Sequence, residues 1–250
     1  MIGAGPGDPE LLTRKAWRLL QEADVVVHDA LVSDALLTEI PTHIHRLYVG
    51  KRKGQHSLSQ IEICQMLIAL AQAGKRVVRL KGGDPLVFGR LQEELDALQA
   101  ANIPFTIVPG ITAAAGCAAS CGFPLTERQL APRLRLITAH SCENREPDWA
   151  SLAQRDETLV FYMGVSSATR ISEQLQHYGL PANWPALVVE NGTLPQQRNH
   201  PTTLGQLATT IRRHQISTTA LIYIGQVVRQ QTAATNQNSA ENTALNIRSN

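Results

Sequence analysis

The sequence predicts two α/β domains with mostly parallel sheets, and three observations carry that reading. Short aliphatic runs recur along the chain, most of them closed by Gly, Pro, Asp, Asn or Glu-Asn. Most are followed by a segment with apolar residues at helical spacing, and the connections are short. Strand–helix alternation of this kind builds a parallel sheet covered by helices. Finally, 250 residues with 43% hydrophobic content suffice for one large or two small domains with a sizeable core.

In chain order, Met1-Ile2 runs into the glycine loop Gly3-Ala4-Gly5-Pro6-Gly7-Asp8-Pro9. A strand of about five or six residues normally precedes such a turn, so either the natural product is expected to start upstream or this copy is expected to be weakened at its N-terminus. Leu12, Ala16, Leu19, Leu20 and Ala23 share one helical face. Val25 to Val27 is a buried strand ending at His28-Asp29, and Ile44 to Val49 reads as another strand, ending at Gly50-Lys51. Ser59-Gln60-Ile61-Glu62 is a capping box, and Gly74 is placed to end the helix it opens. Val77 to Leu80 is the organising strand. It breaks at Gly82-Gly83-Asp84-Pro85, and Leu91, Leu95 and Leu98 mark the next helix. Phe105 to Val108 reads as a further strand, and an alanine-rich helix runs from Thr112 to Gly122.

A second unit follows. Its expected strands are Leu134 to Thr138, Leu159 to Met163, Ala186 to Val189 and Ala220 to Ile224. Its helices carry Ile171, Leu175 and Tyr178, then Leu204, Leu207 and Ile211. The joint is expected within Thr126 to Arg133, giving domains 1–125 and 126–229. Residues 230–250 are mostly Gln, Asn, Thr, Ala and Ser without period, a composition expected to stay disordered.

Composition narrows the function. Aromatic content of 4% argues against stacking platforms for nucleic acid. A net charge of +2 leaves acidic partners to local clusters. The sequence holds no long apolar run for a membrane span and no basic-then-apolar leader, so the cytoplasm is the expected compartment. Cys64, Cys117, Cys121 and Cys142 form no Cys-x-x-Cys pair. Cys117 and Cys121 would share a helix face as small buried residues, and no metal site is expected.

Ligand-friendly residues gather at strand ends: Gly3 to Asp8, Asp29, Lys51, Gly82 to Asp84, Met163 and Asn191-Gly192. In a parallel sheet these ends lie on one edge, where open α/β sheets bind ligands. Taken alone, Gly82-Gly83 is equally a tight turn without a ligand. The first loop is Gly-x-Gly-x-Gly, so a pyridine-nucleotide site has only Gly3-x-Gly5 in its favour. Asp29 is either a solvated or helix-capping aspartate or a general base. Lys51-Arg52-Lys53 reads as a basic turn. Lys81, Arg90, Arg128, Arg133 and Arg135 would suit a substrate with several carboxylates if they converged.

Seven segments together resemble the tetrapyrrole methylases, in order from about Ile2 to about Arg229. They are Gly3–Pro9, Asp29-Ala30-Leu31-Val32-Ser33, Val49-Gly50-Lys51-Arg52, Val78–Pro85, Val108-Pro109-Gly110-Ile111-Thr112-Ala113, Phe161-Tyr162-Met163-Gly164 and Glu190-Asn191-Gly192-Thr193. The resemblance implies S-adenosyl-L-methionine held in a cleft between the two domains, usually in a homodimer, with S-adenosyl-L-homocysteine as product. It implies C-methylation of uroporphyrinogen III to precorrin-2, for siroheme or cobalamin. Carried over by position, the cofactor residues are Pro6, Gly82, Gly83, Asp84, Val87, Thr112, Ala113, Met163 and Gly192. Asp29 corresponds to the proton acceptor and Lys51 to the proton donor. No nucleic acid or membrane partner is implied. The chain departs from the family pattern at Ala30, Leu91, Gln92, Glu127 and Ala139. A non-catalytic homologue that binds cofactor or tetrapyrrole, or a methylase of another tetrapyrrole, are the alternatives.

Overall fold

The computed structural model describes residues 1–50, 58–139, 146–216 and 219–230. Lys51, Arg52, Lys53, His140, Cys142 and residues 231–250 of the expected tail lie outside the described residues. The chain forms two compact units, Met1–Gly116 and a second beginning at Cys117.

The first unit is a parallel sheet of β1 (Ile2–Gly3), β2 (Val25–His28), β3 (His45–Tyr48) and β4 (Val77–Lys81), in the order β1-β4-β2-β3. Alternation along the strands sends side chains to both faces. Val26, Val78 and Leu80 pack with Ala16, Leu20, Leu36 and Ile40 on one face. Val25 and Val27 pack with Ile63, Leu67, Leu91 and Leu98 on the other. The helices that supply these residues are α1 (Arg14–Gln21), α2 (Asp34–Glu39), α3 (Gln60–Gln72) and α4 (Leu91–Ala100).

Local chemistry sets the helix limits. Ser59 and Glu62 form both halves of the expected capping box at the start of α3. Gly74, at φ +74°, closes it, and Lys75 N–H donates to Leu70 O at 3.2 Å. The periodicity reading did not anticipate α2, which is less than two turns long. Its N-cap is Ser33, whose hydroxyl accepts from Leu36 N–H at 3.3 Å, so Asp29 has no capping duty.

The expected strand at Phe105 to Val108 is reduced to a single bridge between Val108 and Ile2. Gly3 N–H donates to Val108 O at 3.0 Å and Val108 N–H to Met1 O at 2.9 Å. Its ladder partner is only the two residues of β1, and Phe105 remains exposed. As expected of an inner strand, β1 lies between β4 and this segment. The alanine-rich stretch forms α5 (Ala113–Ser120).

The second unit contains β5 (Arg133–Thr138), β6 (Glu157–Tyr162), β7 (Pro185–Glu190), β8 (Arg198–Thr203) and β9 (Ala220–Ile224), in the order β5-β6-β9-β7-β8. β5 and β6 are parallel, and β9 is antiparallel to both β6 and β7. β5, β6 and β7 therefore share a direction, and their carboxyl ends lie on one edge. Helices α6 (Trp149–Leu152), α7 (Ala168–His177) and α8 (Leu207–Arg213) accompany the sheet. Phe161, Val188 and Ile222 pack with Trp149, Ile171, Leu175 and Leu207. β8 has no apolar run: its inward positions are His200 and Thr202. It pairs with β7 alone, and Pro201 is tolerated at such an edge. Among the described residues, no helix is long and apolar enough to cross a membrane.

Candidate functional site

In the first unit the carboxyl ends of β1, β4 and the Val108 segment lie side by side, and their glycine loops interlock. Ala4 N–H donates to Lys81 O at 2.8 Å. Gly5 N–H donates to Gly83 O at 3.1 Å, and Gly83 N–H returns a bond to Gly5 O at 2.7 Å. A Cβ on Gly3 would stand 2.5 Å from Gly110 N and 2.7 Å from Gly83 O, and one on Gly110 would overlap Gly83 O. Gly3 and Gly110 are thus required for backbone-to-backbone packing. That accounts for a Gly-x-Gly-x-Gly loop that lacks the dinucleotide spacing.

Gly82 and Gly83 differ in what they are for. A Cβ on Gly82 would meet Leu31 Cβ at 2.5 Å, so packing excludes a side chain there. Gly83 has φ +67°, and a Cβ on it would find only Ala113 N, at 3.7 Å. The space beside Gly83 is open, and its left-handed conformation is what demands glycine. Asp84 Oδ1 accepts from Leu86 N–H at 3.0 Å. Val87 N–H donates to Asp84 O at 3.1 Å, and Thr112 O receives Ala115 N–H at 3.0 Å at the start of α5. Pro6, Gly82, Gly83, Asp84, Val87, Thr112 and Ala113 are all half-buried. The fold thus places seven of the residues read from the sequence on one sheet edge. The open side of Gly83 leaves its main chain accessible to a ligand with no side chain between them.

Asp29 follows the end of β2 on the same edge. Its side chain is 25% exposed, and Arg79 Nη2 lies 3.6 Å from Oδ2. Its Oδ1 accepts from Leu31 N–H at 3.1 Å. Behind it is a buried charge cluster. Glu94 Oε1 accepts from Lys81 Nζ at 2.8 Å, Arg79 Nε at 3.3 Å and Gln60 Nε2 at 3.1 Å. Burial, then the neighbouring Arg79 charge, pushes the Lys81 ammonium below its ordinary range, against the pull of Glu94. Burial likewise lowers His28, whose ring packs edge-on against Tyr48 at 5.6 Å. Lys51 lies outside the described residues.

In the second unit Met163 follows β6 and Gly192 lies just beyond β7. Met163 has φ 54° and is 48% exposed. A non-glycine residue held in this region costs about 1–3 kcal/mol and often marks a ligand site. Asn191 and Thr193 flank Gly192 at φ 50° and 66°. Asn191 Oδ1 accepts from Thr219 Oγ1 at 2.8 Å. A Cβ on Gly192 would overlap Cys117 Sγ. Close packing on a buried thiol therefore explains this glycine without a ligand. Burial raises the Cys117 thiol to about 12. Cys117 is the buried helix residue expected, whereas Cys121 is half-buried and follows the last residue of α5. Among the described residues no group of three His, Cys, Asp or Glu could hold a metal ion.

The proposed cation cluster needs correction. Lys81 is buried on Glu94, and Arg90 pairs with Glu93 at 2.7 Å. Arg133 pairs with Asp156 and Arg135 with Glu157. The last two stand at the start of β5, away from the carboxyl ends that carry Met163 and Asn191. The Arg79–Glu94 pairing was missed, although two patterns held it. Arg79 and Lys81 share a face of β4, and Glu94 falls on the buried stripe of α4 between Leu91 and Leu98.

Residues 1–208 match the family model of the tetrapyrrole (corrin/porphyrin) methylases. A siroheme synthase 2 of Yersinia enterocolitica is 51% identical over 228 residues, covering 91% of this chain and 48% of that protein. The chain thus spans about half the length of the curated relatives it matches. Among solved structures, the native uroporphyrin III C-methyl transferase of Thermus thermophilus is 39% identical at a TM-score of 0.77, covering 91% of this chain and 97% of that one. Its complex with S-adenyl homocysteine aligns at 38% identity and a TM-score of 0.78, covering 91% and 92%.

Proposed function

This chain belongs to the tetrapyrrole (corrin/porphyrin) methylases, and from that premise we propose that it transfers methyl groups from S-adenosyl-L-methionine to carbons of uroporphyrinogen III, forming precorrin-2. The observation that carries the reading is the interlocked edge of the first unit, where Gly83 sits at φ +67° beside open space and seven half-buried family positions gather. S-adenosyl-L-methionine supplies an electrophilic methyl group on a sulfonium.

In this reading Pro6, Gly82, Gly83, Asp84, Val87, Thr112 and Ala113, with Met163 and Gly192 of the second unit, hold the methyl donor. Gly83 lets the ligand approach the main chain without a side chain between them. The substrate's reduced pyrrole carbon is already electron-rich, so the chief demand on the protein is alignment of donor and acceptor. As the new carbon–carbon bond forms and the carbon–sulfur bond breaks, the ring must then lose a proton. Asp29, on the same edge, accepts it and passes it to solvent, and Lys51 takes the donor role where a ring position is reprotonated as the product settles. The working unit is a homodimer.

A second reading, a homologue that binds without turnover, draws on Ala30 and Glu127, where the family pattern has other residues. One experiment separates the two: anaerobic incubation of the purified chain with S-adenosyl-L-methionine and enzymatically made uroporphyrinogen III. The proposal expects a dimethylated tetrapyrrole, with S-adenosyl-L-homocysteine formed in step. Binding of S-adenosyl-L-homocysteine with no methylated product under any substrate ratio favours the second reading. Light scattering tests the dimer.

A further inference from the structure

The reading of Asp29 as the proton acceptor leaves open what fixes the direction of its carboxylate, and the buried cluster behind it answers that. Arg79 is 4%, Lys81 5% and Glu94 0% exposed. Two buried cations therefore share one buried carboxylate. Glu94 brings one negative charge against two positive ones; all three donors converge on its Oε1, and its Oε2 has no hydrogen-bond partner among the described residues. Lone buried charge is costly, and a neighbouring carboxylate relieves it. The charged neighbour that completes the set is Asp29.

Arg79 is held rigidly enough to direct that neighbour. Its Nε donates to Glu94 Oε1 at 3.3 Å, and its Nη1 to Leu80 O at 3.0 Å and Val27 O at 3.4 Å. Those bonds fix the plane of the guanidinium and leave Nη2 directed at Asp29 Oδ2, 3.6 Å away. The other oxygen, Oδ1, is held by Leu31 N–H at 3.1 Å. One oxygen of the carboxylate is held by a backbone N–H, and the other faces, at ion-pair distance, a guanidinium anchored in the core. A planar fork suits this role better than the point charge of a lysine.

We propose that Arg79, anchored by Glu94, is a positioning residue that orients the Asp29 carboxylate for proton acceptance. The inference rests on the role given to Asp29 above. It differs from the donor-binding role of the neighbouring Gly82-Gly83-Asp84, because Arg79 points into the core.

A double-mutant cycle tests it, with kcat for methyl transfer as one readout and calorimetric affinity for S-adenosyl-L-homocysteine as the other. Arg79→Gln should lower kcat about tenfold or more and leave that affinity within about twofold. In an Asp29→Asn background the same change should lower kcat no further, because nothing remains to be positioned. If Arg79→Gln does not fold, the cycle is read with Arg79→Lys. This variant keeps a cation against Glu94 but loses the fork, and the same non-additivity is expected. An equal fold-loss in both backgrounds overturns the proposal, as does a loss of affinity that matches the loss of kcat. If Asp29→Asn alone leaves kcat unchanged, the acceptor role of Asp29 fails and the proposal falls with it. That outcome is distinct from additivity with a slow Asp29→Asn.

Discussion

Gly192 offers a sharp test of packing against ligand contact, because an added methyl group there has a known obstacle. A Cβ at Gly192 would overlap Cys117 Sγ, and would lie 3.3 Å from Cys117 Cβ and 3.5 Å from Val189 Cγ1. The thiol is buried in the middle of α5. Overpacking of this kind costs about 1–3 kcal/mol. At roughly 2–4 °C per kcal/mol for a chain of this size, Gly192→Ala should lower Tm by about 2–12 °C. Cys117→Ala removes the obstructing sulfur at a cost of about 1 kcal/mol in lost burial. With the sulfur gone, the remaining contacts need shifts of only a few tenths of an ångström. The double variant should therefore melt close to Cys117→Ala alone, a coupling of about 1–3 kcal/mol. Thermal and urea denaturation of the four proteins measure it. Calorimetry with S-adenosyl-L-homocysteine on the same proteins shows whether affinity recovers with stability. If the two substitutions simply add, the thiol is not the obstacle, and the glycine must be explained by something other than Cys117.

Three further outcomes follow from particular residues. Gly83→Val forces a branched side chain onto a backbone at φ +67° and fills the open side of the loop. S-adenosyl-L-homocysteine affinity should fall at least tenfold, about 1.4 kcal/mol or more, and unchanged affinity in a folded variant rejects this placement. Hydrogen bonds from Arg76 hold Asp24 down from 3.8 to about 2. Because the folded state binds this proton more weakly than the unfolded chain, the contribution is complete above about pH 4 and disappears as pH falls towards 2. Arg76→Ala should flatten that part of the stability–pH curve, and an identical acid profile in the variant contradicts the pairing. The Cys117 thiol, raised to about 12 by burial, should resist iodoacetamide at mildly alkaline pH in the native protein and react in urea. Rapid native labelling by mass spectrometry would contradict its burial.

Much of the fold was legible because several of its strands are dominated by aliphatic runs. Val25 to Val27 and Val77 to Leu80 are buried on both faces of a parallel sheet, and that leaves a clear signature in sequence. β8 was not legible, since an edge strand whose buried face is His200 and Thr202 carries no apolar alternation. α2 was hidden by its length, although Ser33 was in place to cap it. The glycine loops stood out as a pattern, but their separate duties did not. Whether a glycine serves φ, as at Gly83, or a close neighbour, as at Gly82 and Gly192, depends on residues distant in sequence. The cations misled for the same reason. Arg133 and Arg135 sit at strand beginnings and meet Asp156 and Glu157. Lys81 belongs to a buried network whose carboxylate, Glu94, lies on another element.

The central claim is that the interlocked loops at the carboxyl edge of the first sheet seat the methyl donor. A crystal structure of the chain with S-adenosyl-L-homocysteine tests it most directly. The account predicts ligand density against the main chain of Gly82, Gly83 and Asp84, with Pro6, Thr112 and Ala113 beside it and Asp29 left clear for the substrate. Density lying elsewhere, with the space beside Gly83 still open, would contradict it.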